Sequence, residues 1–311
     1  MTRHVPVLLT ELLTALKLSP GMRVVDCTLG DGGHAEKILE KVATSGRLMG
    51  IDADPEAVLQ AKQYLYNFEG QVIFVRDNFR NLNKIVQENN FAGVDAILID
   101  LGWSSPQFEE RGRGFSFQHP EEPLDMRYSG ENIGSATDIL NTRTEKELAT
   151  IFADYGEEKL SKKIAEAVVN TRKIKQIKTV GDLVEIILQV YRKKLGVVET
   201  HNHASVLEKV PWIGGLHPAT KIFQALRIEV NNELVALQDV LPQAVKVLSP
   251  GGRLAVISFH SLEDRIVKHF FKKNKEKNIL IINKKPIECA EEEYQSNPRA
   301  RSAKLRVIEK I

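Results

Sequence analysis

Three glycines within four positions follow an apolar run near the start of the chain. The run, residues 22–27, predicts a buried strand, and the apolar spacing of residues 35–42 predicts a helix. Between them, Gly30, Gly32 and Gly33 predict a tight turn. Glycine lets a backbone approach a ligand closely, and the first turn of a helix offers free N–H groups to an anion. Ordinary strand-to-helix turns also contain glycine, so the turn by itself does not identify a ligand.

An acid at the end of the next predicted strand favours a ligand site at this turn. The strand is Arg47–Asp52, and Asp52 lies about 20 residues beyond the glycines, the spacing at which an acid binds ribose hydroxyls. The combination favours a cofactor that contains adenosine. Phe79 follows a third predicted strand, residues 71–75, where it could lie against an adenine ring or simply belong to the core.

A fourth apolar run, residues 94–99, predicts a parallel strand buried on both faces, and Asp100 follows it. Open α/β sheets bind ligands beyond the carboxyl ends of their strands, so Asp100 is a candidate site residue. The next loop, residues 101–107, is rich in Gly, Ser and Pro and contains Trp103 and Ser105. A rigid strand that carries a mobile loop is a good position for an active site.

Arginines alternate with aromatic residues in the loop-like segment 108–128. Such a segment can stack on bases and contact phosphates, which makes Phe115 a candidate for base stacking. The alternative is a surface loop that Phe115 and Phe117 pin to the core.

The composition is that of a globular enzyme. Of the 311 residues, 42% are hydrophobic and 27% charged, and the two cysteines fit neither a disulfide framework nor a zinc site. The sequence has no signal-peptide pattern and no apolar run of membrane length, which predicts a cytoplasmic protein.

The formal net charge of +2 conceals a basic end, because residues 268–311 contain twelve Lys and Arg against six Asp and Glu. This end favours a polyanionic partner such as nucleic acid, although a solvated lysine-rich face has the same composition.

Helix patterns alone fill the middle of the chain. Amphipathic spacing predicts three helices, over 144–152, 158–173 and 179–191. We therefore expect an α/β domain in two parts, residues 1–128 and 217–311, with a small helical domain, residues 129–216, inserted between them. His201 and His203 have no Cys or carboxylate at ligand spacing, so no metal site is predicted.

The last part of the chain returns to an α/β pattern. One long helix is predicted over 217–241, a fifth strand over 253–259 after a Ser-Pro-Gly-Gly turn, and two final strands over 278–282 and 303–308. Residues 261–264 predict the start of another helix, with an N-cap and an acidic first turn.

Arg227 and His260 are candidates for contact with a substrate. Arg227 lies on the predicted long helix and His260 at the end of the fifth strand, positions that point toward the cofactor end of the sheet. The alternatives are that Arg227 pairs with Glu229 or Glu233 and that His260 only ends a strand.

Two classes of cofactor fit the glycine turn. Residues 30–35 can be aligned with the dinucleotide fingerprint G-x-G-x-x-A, which leaves an NAD-dependent oxidoreductase open. Three other features favour S-adenosylmethionine: the Ser-Pro-Gly-Gly turn, the two strands that end the chain, and Ser105 with Pro106, which partly match the loop of amino-group methyltransferases. No glycine-rich turn ends in Gly-Lys-Ser/Thr, which excludes a P-loop.

Motifs along nearly the whole chain resemble those of one family. The matching stretches are residues 4–9, 30–34, 99–107, 114–117, 123–127, 155–158, 217–220, 223–228, 258–265 and 297–302. With these motifs the chain resembles the ribosomal RNA small-subunit methyltransferase H family, which methylates the N4 amine of a cytosine in 16S ribosomal RNA. Trp103 departs from the family, which usually has a small aliphatic residue there, and Lys221 stands where arginine is usual.

The resemblance implies a fold, a substrate and a set of cofactor contacts. The fold would be a Rossmann-like S-adenosylmethionine-dependent methyltransferase sheet with an inserted helical domain that helps to recognise RNA. The target would be a cytosine in the decoding centre. The implied cofactor-binding residues are Gly32, Gly33, His34, Asp52, Phe79, Asp100 and Gln107. The glycine turn would meet the methionine part, Asp52 the ribose and Phe79 the adenine.

Methyl transfer to an exocyclic amine needs positioning more than it needs a strong base, because the methyl donor is already strongly activated. Acceptors for the amine hydrogens would stabilise the positive charge that develops on nitrogen, and Ser105 and Asp100 are the candidate catalytic residues. The base must leave its stack to reach them, and Trp103 or Phe115 would hold it there.

The basic end is expected to contact the phosphates of small-subunit ribosomal RNA or of the small ribosomal subunit. The candidate residues are Arg299, Arg301, Lys304 and Arg306, with Lys272 and Lys273. Two other functions stay open at this point, an NAD-dependent oxidoreductase and a non-catalytic RNA-binding assembly factor. Tight NADH binding without S-adenosylmethionine binding would favour the first, and RNA binding without methyl transfer the second.

Overall fold

The computed structural model describes residues 5–43, 45–102, 112–129, 134–196, 217–275 and 277–311. Contacts between residues divide the chain into two compact units. The first combines Met1–Ser104 with Leu234–Ile311, and the second is Ser105–Glu233. The second unit therefore begins earlier and ends later than the inserted domain that the sequence predicts, residues 129–216.

Seven strands of the described residues form one sheet in the first unit. They are β1 (Arg23–Asp26), β2 (Arg47–Asp52), β3 (Val72–Arg76), β4 (Val94–Asp100), β5 (Leu248–Ser258), β6 (Ile279–Ile281) and β7 (Lys304–Lys310). Their order is β3-β2-β1-β4-β5-β7-β6, with β1 to β5 parallel and β7 antiparallel to both of its neighbours. The predicted α/β, Rossmann-like sheet is confirmed, including the two final strands that reverse the direction of its edge.

Twelve α-helices are present in the described ranges. In chain order they are α1 (Leu9–Leu16), α2 (Gly33–Val42), α3 (Pro55–Tyr64), α4 (Leu82–Glu88), α5 (Ala136–Thr142), α6 (Glu145–Asp154), α7 (Ser161–Arg172), α8 (Val180–Leu195), α9 (Thr220–Asn231), α10 (Glu233–Val247), α11 (Ser261–Asn274) and α12 (Glu291–Ser296). None of these helices is long and apolar enough to cross a membrane.

The sheet is buried on both faces because successive side chains of a parallel strand point to opposite sides. One face includes Val25, Met49 and Ile97, which belong to a cluster with residues of α4, α10 and α11. The other face includes Val24 and Leu48, which belong to a cluster with residues of α1 and α2. The strand ends that bind ligands in such sheets are therefore fixed by two separate hydrophobic cores.

Helices dominate the second unit, and local hydrogen bonds explain why it extends beyond residues 129–216. Before the predicted insert, the Leu124 N–H donates to the Lys178 carbonyl (3.0 Å), and the Glu122 carbonyl accepts from Val180 N–H (2.9 Å). After the insert, Gln224 on α9 donates its amide to the Tyr155 carbonyl at the end of α6 (2.9 Å). Backbone pairing and helix contact thus join these flanking segments to the helices, whereas composition alone placed them with the sheet.

The prediction of one long helix over 217–241 is wrong, because the structure has two helices there, α9 and α10. Asn232 separates them with φ at 50°, in the left-handed region, and its N–H donates to the carbonyls of Glu229 and Ile228. Asparagine is one of the few residues besides glycine that adopts this conformation easily. Apolar periodicity continues through the break, which is why the pattern did not reveal it.

The Ser-Pro-Gly-Gly segment before the fifth strand belongs to the strand itself. β5 begins at Leu248 rather than Arg253, and its pairing with β4 shifts from Val94–Leu248 to Ala96–Arg253. The four residues between these pairs are therefore an irregularity of the β-bulge kind within the strand rather than a turn ahead of it.

Candidate functional site

The carboxyl ends of β1, β2 and β4 carry three acids. Asp26 ends β1, Asp52 ends β2 and Asp100 ends β4, and these strands are neighbours in the sheet. The glycine turn leaves the end of β1, so it lies at the same edge. This is the position at which open α/β sheets bind ligands.

Asp52 holds the glycine turn in place. One carboxylate oxygen accepts the N–H of Gly30 and the other that of Asp54, both at 2.9 Å. The side chain thus fixes the shape of the turn, and its contact with ribose hydroxyls stays a prediction.

The glycines of the turn allow close packing that a side chain would prevent. Gly32 has φ at +87°, and a Cβ there would lie 3.2 Å from the Leu65 side chain; a Cβ on Gly33 would lie 2.9 Å from Pro6 Cγ. Gly32 is the N-cap of α2 and provides no capping side chain. The helix thus begins at the turn with its N-terminal end suited to an anionic group such as a carboxylate.

His34 lies in the first turn of α2 with its imidazole buried. Its Nε2 is 3.0 Å from the carbonyl oxygen of Val7, and its Nδ1 is 3.5 Å from Asp100 Oδ2. The imidazole therefore connects the segment before α1 to the end of β4. This places the His34 side chain against protein groups on both of its nitrogens.

Two carboxylate oxygens at this edge are buried without a hydrogen-bond partner in the described part of the chain. They are Oδ2 of Asp26 and Oδ1 of Asp100. Burial raises the pKa of Asp26 to about 6, against the opposing effect of His34, and raises that of Asp100 to about 7, against the opposing charge of Arg299. Buried polar groups in proteins nearly always have partners, so these two oxygens are candidate positions for contact with a ligand or an ordered water.

Asp26 is a further candidate site residue, and it was not predicted from the sequence. Its side chain is 1% exposed, and its Oδ1 accepts the N–H of Thr28 at 3.1 Å. The available signal was an acid within an otherwise apolar predicted strand, immediately before the glycine turn. An acid without a partner in such a strand costs stability, so its presence there indicates a function.

Phe79 begins a short 3₁₀ turn, Phe79–Asn81, after β3. Its side chain is half-buried and packs against the core cluster on one face of the sheet. Asn78 fixes the turn by accepting the N–H of Arg80 at 3.0 Å. The partly exposed ring retains surface that an adenine could cover.

Three predicted residues of the loop after β4 lie outside the described residues. They are Trp103, Ser105 and Gln107. Their roles stay predictions.

His260 caps α11, so the N-cap lies one residue before the predicted helix start at 261–264. Its Nδ1 accepts the N–H of Glu263 at 3.4 Å, and its Nε2 is 3.2 Å from Glu263 Oε1. Glu263 is 2% exposed and also accepts the N–H of Phe259 (2.8 Å). A capping role is thus established by the geometry, and contact with a nucleotide stays a prediction.

The predicted basic end divides into exposed and buried residues. Lys272, Lys273 and Arg301 are exposed, and the Arg299 guanidinium lies 6.0 Å from the centre of the Phe259 ring. The prediction that Arg306 contacts phosphate is wrong. Its side chain is 8% exposed, and its guanidinium donates to both carboxylate oxygens of Asp264, at 2.7 and 3.0 Å.

In the second unit, Phe115 and Arg227 have protein partners. Phe115 is 6% exposed and stacks on Tyr128, with ring centres 5.6 Å apart. Arg227 forms an ion pair with Glu233 at 3.1 Å, and both side chains are 12% exposed. The pairing of Arg227 with Glu233 was one of the alternatives that the sequence left open.

Comparison with known proteins identifies relatives over the whole length of the chain. The model of the MraW methylase family matches residues 1–311. The ribosomal RNA small subunit methyltransferase H of Dictyoglomus thermophilum is 48% identical over 307 residues, which cover 99% of this chain and 96% of that protein. The protein of the same name from Heliobacterium mobile is 45% identical over 325 residues and 99% of each chain. That from Clostridioides difficile is 41% identical over 324 residues, again 99% of each.

Proposed function

Because the chain belongs to the MraW methylase family, we propose that it methylates the exocyclic N4 amine of a decoding-centre cytosine in 16S ribosomal RNA. The protein is a methyltransferase, and S-adenosylmethionine is its cofactor. The relatives named for the small ribosomal subunit support the RNA as substrate. Ser105 and Pro106, which partly match the loop of amino-group methyltransferases, support an amine as the target.

The cofactor site in this proposal is supported by three acids and a glycine turn that lie at one edge of the sheet. Two of the buried carboxylate oxygens there have no partner among the described residues. The N-terminal end of α2 would bind the carboxylate of the methionine part. Asp52 would bind the ribose hydroxyls, and the exposed side of Phe79 would cover the adenine. Gln107 would complete the set.

When bound, S-adenosylmethionine supplies a methyl group on a positively charged sulfur. The protein's own task is to hold the cytosine amine in line with that methyl group and to accept its hydrogens. Asp100 is the described residue placed for this task, and Ser105 is the second candidate. An acceptor on the amine hydrogens keeps the lone pair on nitrogen, which the pyrimidine ring otherwise draws away.

The flipped base needs an aromatic surface to replace the stacking that it loses. Phe115 already stacks on Tyr128, which favours Trp103 for this position. Arg227 and His260 would contact the target nucleotide or its phosphates, in each case while keeping the protein partner described above. Arg299, Arg301, Lys272 and Lys273 would bind the RNA backbone.

Mapping of modified nucleosides tests the proposal in cells. We expect small-subunit RNA from cells that lack this protein to lose N4 methylation at one cytosine, and complementation with the wild-type chain to restore it. An unchanged set of methylated cytosines would contradict the proposal. Complementation by Asp100→Ala should fail, whereas Lys84→Ala, which changes an exposed lysine on α4, should succeed.

A further inference from the structure

The two nitrogens of the His34 imidazole meet groups that together define its protonation. Nε2 lies 3.0 Å from the Val7 carbonyl oxygen, which can only accept a hydrogen bond. Nε2 must therefore carry a hydrogen and donate it. In a neutral imidazole this leaves a lone pair on Nδ1, the nitrogen that lies 3.5 Å from Asp100 Oδ2.

A lone pair on Nδ1 and an ionised carboxylate oxygen would repel each other at this distance. A proton between them removes the repulsion, whether it resides on Asp100 or on His34. The His34 side chain is 8% exposed and that of Asp100 is 23% exposed, so water screens the two groups only in part. The geometry therefore favours one proton between the two groups in the protein without cofactor.

Charged groups from several elements surround this pair. Those acting on His34 are Asp26 on β1, Asp31 in the glycine turn and Glu293 on α12; those acting on Asp100 are Arg299 and Glu263. Most of them are acids, which favour the retention of a proton. Burial raises the pKa of Asp100 to about 7 and lowers the pKa of His34, so the carboxyl group is the natural site for this proton near neutral pH.

We propose that the His34–Asp100 pair stores the proton of the methyl-transfer cycle: it releases one proton when the cationic cofactor binds and takes one back from the substrate amine. The proposal rests on the proposed function above. His34 is a positioning residue in this scheme, because it acts through Asp100 and makes no contact with the reacting nitrogen.

The transfer is balanced in atoms and charge. As the N–CH₃ bond forms, the S–CH₃ bond breaks and its electron pair stays on sulfur, which becomes neutral. An N–H bond of the amine breaks as well, and its electron pair stays on N4. The proton forms an O–H bond with Asp100 and is shared with Nδ1 of His34. The site thus holds one positive charge before the reaction, on sulfur, and one after it, as the stored proton. The net charge of the site therefore does not change during the reaction. In a buried cluster that is rich in acids, a change of net charge would cost free energy.

Calorimetry in two buffers of different ionisation enthalpy measures the proton released on binding without any methyl transfer. At pH 6.5 we expect S-adenosylmethionine to release about three quarters of a proton, as follows from a carboxyl group of pKa about 7 that ionises on binding. S-adenosylhomocysteine has the same nucleoside and amino-acid parts but an uncharged sulfur, and it should release less than half as much. Equal release by the two ligands, or none by either, would overturn the proposal.

Two variants test whether the His34–Asp100 pair holds the proton or has only a structural role. His34→Gln keeps a donor for the Val7 carbonyl but has no nitrogen at the Nδ1 position, so the difference in proton release between the two ligands should fall at least twofold. Asp100→Asn should abolish that difference. An undiminished difference in either variant would overturn the proposal.

Nitrogen NMR of the wild-type protein gives a readout that does not depend on a variant's folding. Without cofactor, the His34 signals should show a hydrogen on Nε2, and a hydrogen on Nδ1 alone would contradict the shared proton. The NMR result on His34 does not depend on whether the proposed function is correct. That function would fail if the protein neither bound S-adenosylmethionine nor methylated small-subunit RNA, whatever the tautomer of His34.

Discussion

Asp26 is a buried acid whose ionisation opposes folding. Its pKa is about 6 in the folded protein against 3.8 for an unperturbed Asp, so the folded state binds its proton more tightly than the unfolded state does. The stability that this provides is complete below about pH 3.8 and is lost as the pH rises through 6. Between pH 4 and pH 7 the carboxyl group should therefore remove about 2 kcal/mol from the free energy of unfolding.

Asp26→Asn should abolish this loss, because an amide does not ionise. We expect the melting temperature of the variant to gain on that of the wild type as the pH rises from 4.5 to 7.5, measured in matched buffers without cofactor. The affinity for S-adenosylmethionine should fall, since the variant lacks the carboxylate whose Oδ2 has no partner among the described residues. Parallel melting curves across this pH range would show that Asp26 ionises as easily in the folded protein as in the unfolded one.

Asp52 holds the glycine turn in place, and we predict that it also binds the cofactor. We expect Asp52→Ala to weaken S-adenosylmethionine binding by about 1–3 kcal/mol, the usual loss for hydrogen bonds to a charged group. Asp95→Ala is the matched control, because Asp95 also accepts a backbone N–H, from Arg23 at 2.8 Å, but at the amino-terminal end of β4. Calorimetry should show an affinity loss for Asp52→Ala alone. Equal affinities with a lower melting temperature for Asp52→Ala would make that residue purely structural.

At the scale of elements, the glycine turn offers a test in which backbone strain is held constant. Gly32 and Gly70 have nearly equal φ, +87° and +88°, but a Cβ on Gly70 would meet nothing within 4 Å. Each Gly→Ala change should cost about 1–2 kcal/mol of stability from the left-handed backbone. Only Gly32→Ala should also weaken S-adenosylmethionine binding, by at least tenfold, because it changes the start of α2. Similar cofactor affinities for the two variants would remove the turn from the binding site.

The sequence predicted the elements that have strong periodic patterns. The first four strands are apolar runs, the helices α6, α7 and α8 have amphipathic stripes, and α6 and α8 also begin with capping boxes. These elements were therefore found close to their observed ends, apart from the last four residues of α8. The acidic helix α12 has no buried residue and no stripe, and it was missed. The break at Asn232 and the cap at His260 depend on backbone conformation and on a contact with Glu263, which a pattern of hydrophobic residues does not encode.

The candidate site was predictable to the extent that it follows from strand ends. Asp52 and Asp100 were found because each ends an apolar strand, and the glycines because of their spacing. Asp26 was not found, although it too ends an apolar strand, immediately before the glycine turn. The partner of His34 was not found, because it depends on which segments lie together in the fold. The extent of the second unit was missed for the same reason, since backbone pairing between residues 122–124 and 178–180 is not visible in composition.

At the scale of the whole molecule, the basic end should determine affinity for RNA more than specificity. We expect Arg301→Ala and Lys272→Ala each to weaken RNA binding and to reduce the log–log slope of affinity against salt by about one. Lys84→Ala on α4 is the exposed control and should leave the slope unchanged. Filter binding at several salt concentrations measures all three. An unchanged slope for both Arg301→Ala and Lys272→Ala would exclude the basic end from the interface.

The most direct test of the account is methyl transfer by the purified protein. Labelled S-adenosylmethionine and small ribosomal subunits from cells that lack the protein are the reactants, and the RNA is then digested to nucleosides. The account predicts that the label appears in N4-methylcytidine from a single position in the decoding centre. It also predicts that Asp100→Ala lowers the rate at least 100-fold, the range for loss of a group that handles a proton. Label in another nucleoside, or no label while the protein still binds the subunit, would contradict it.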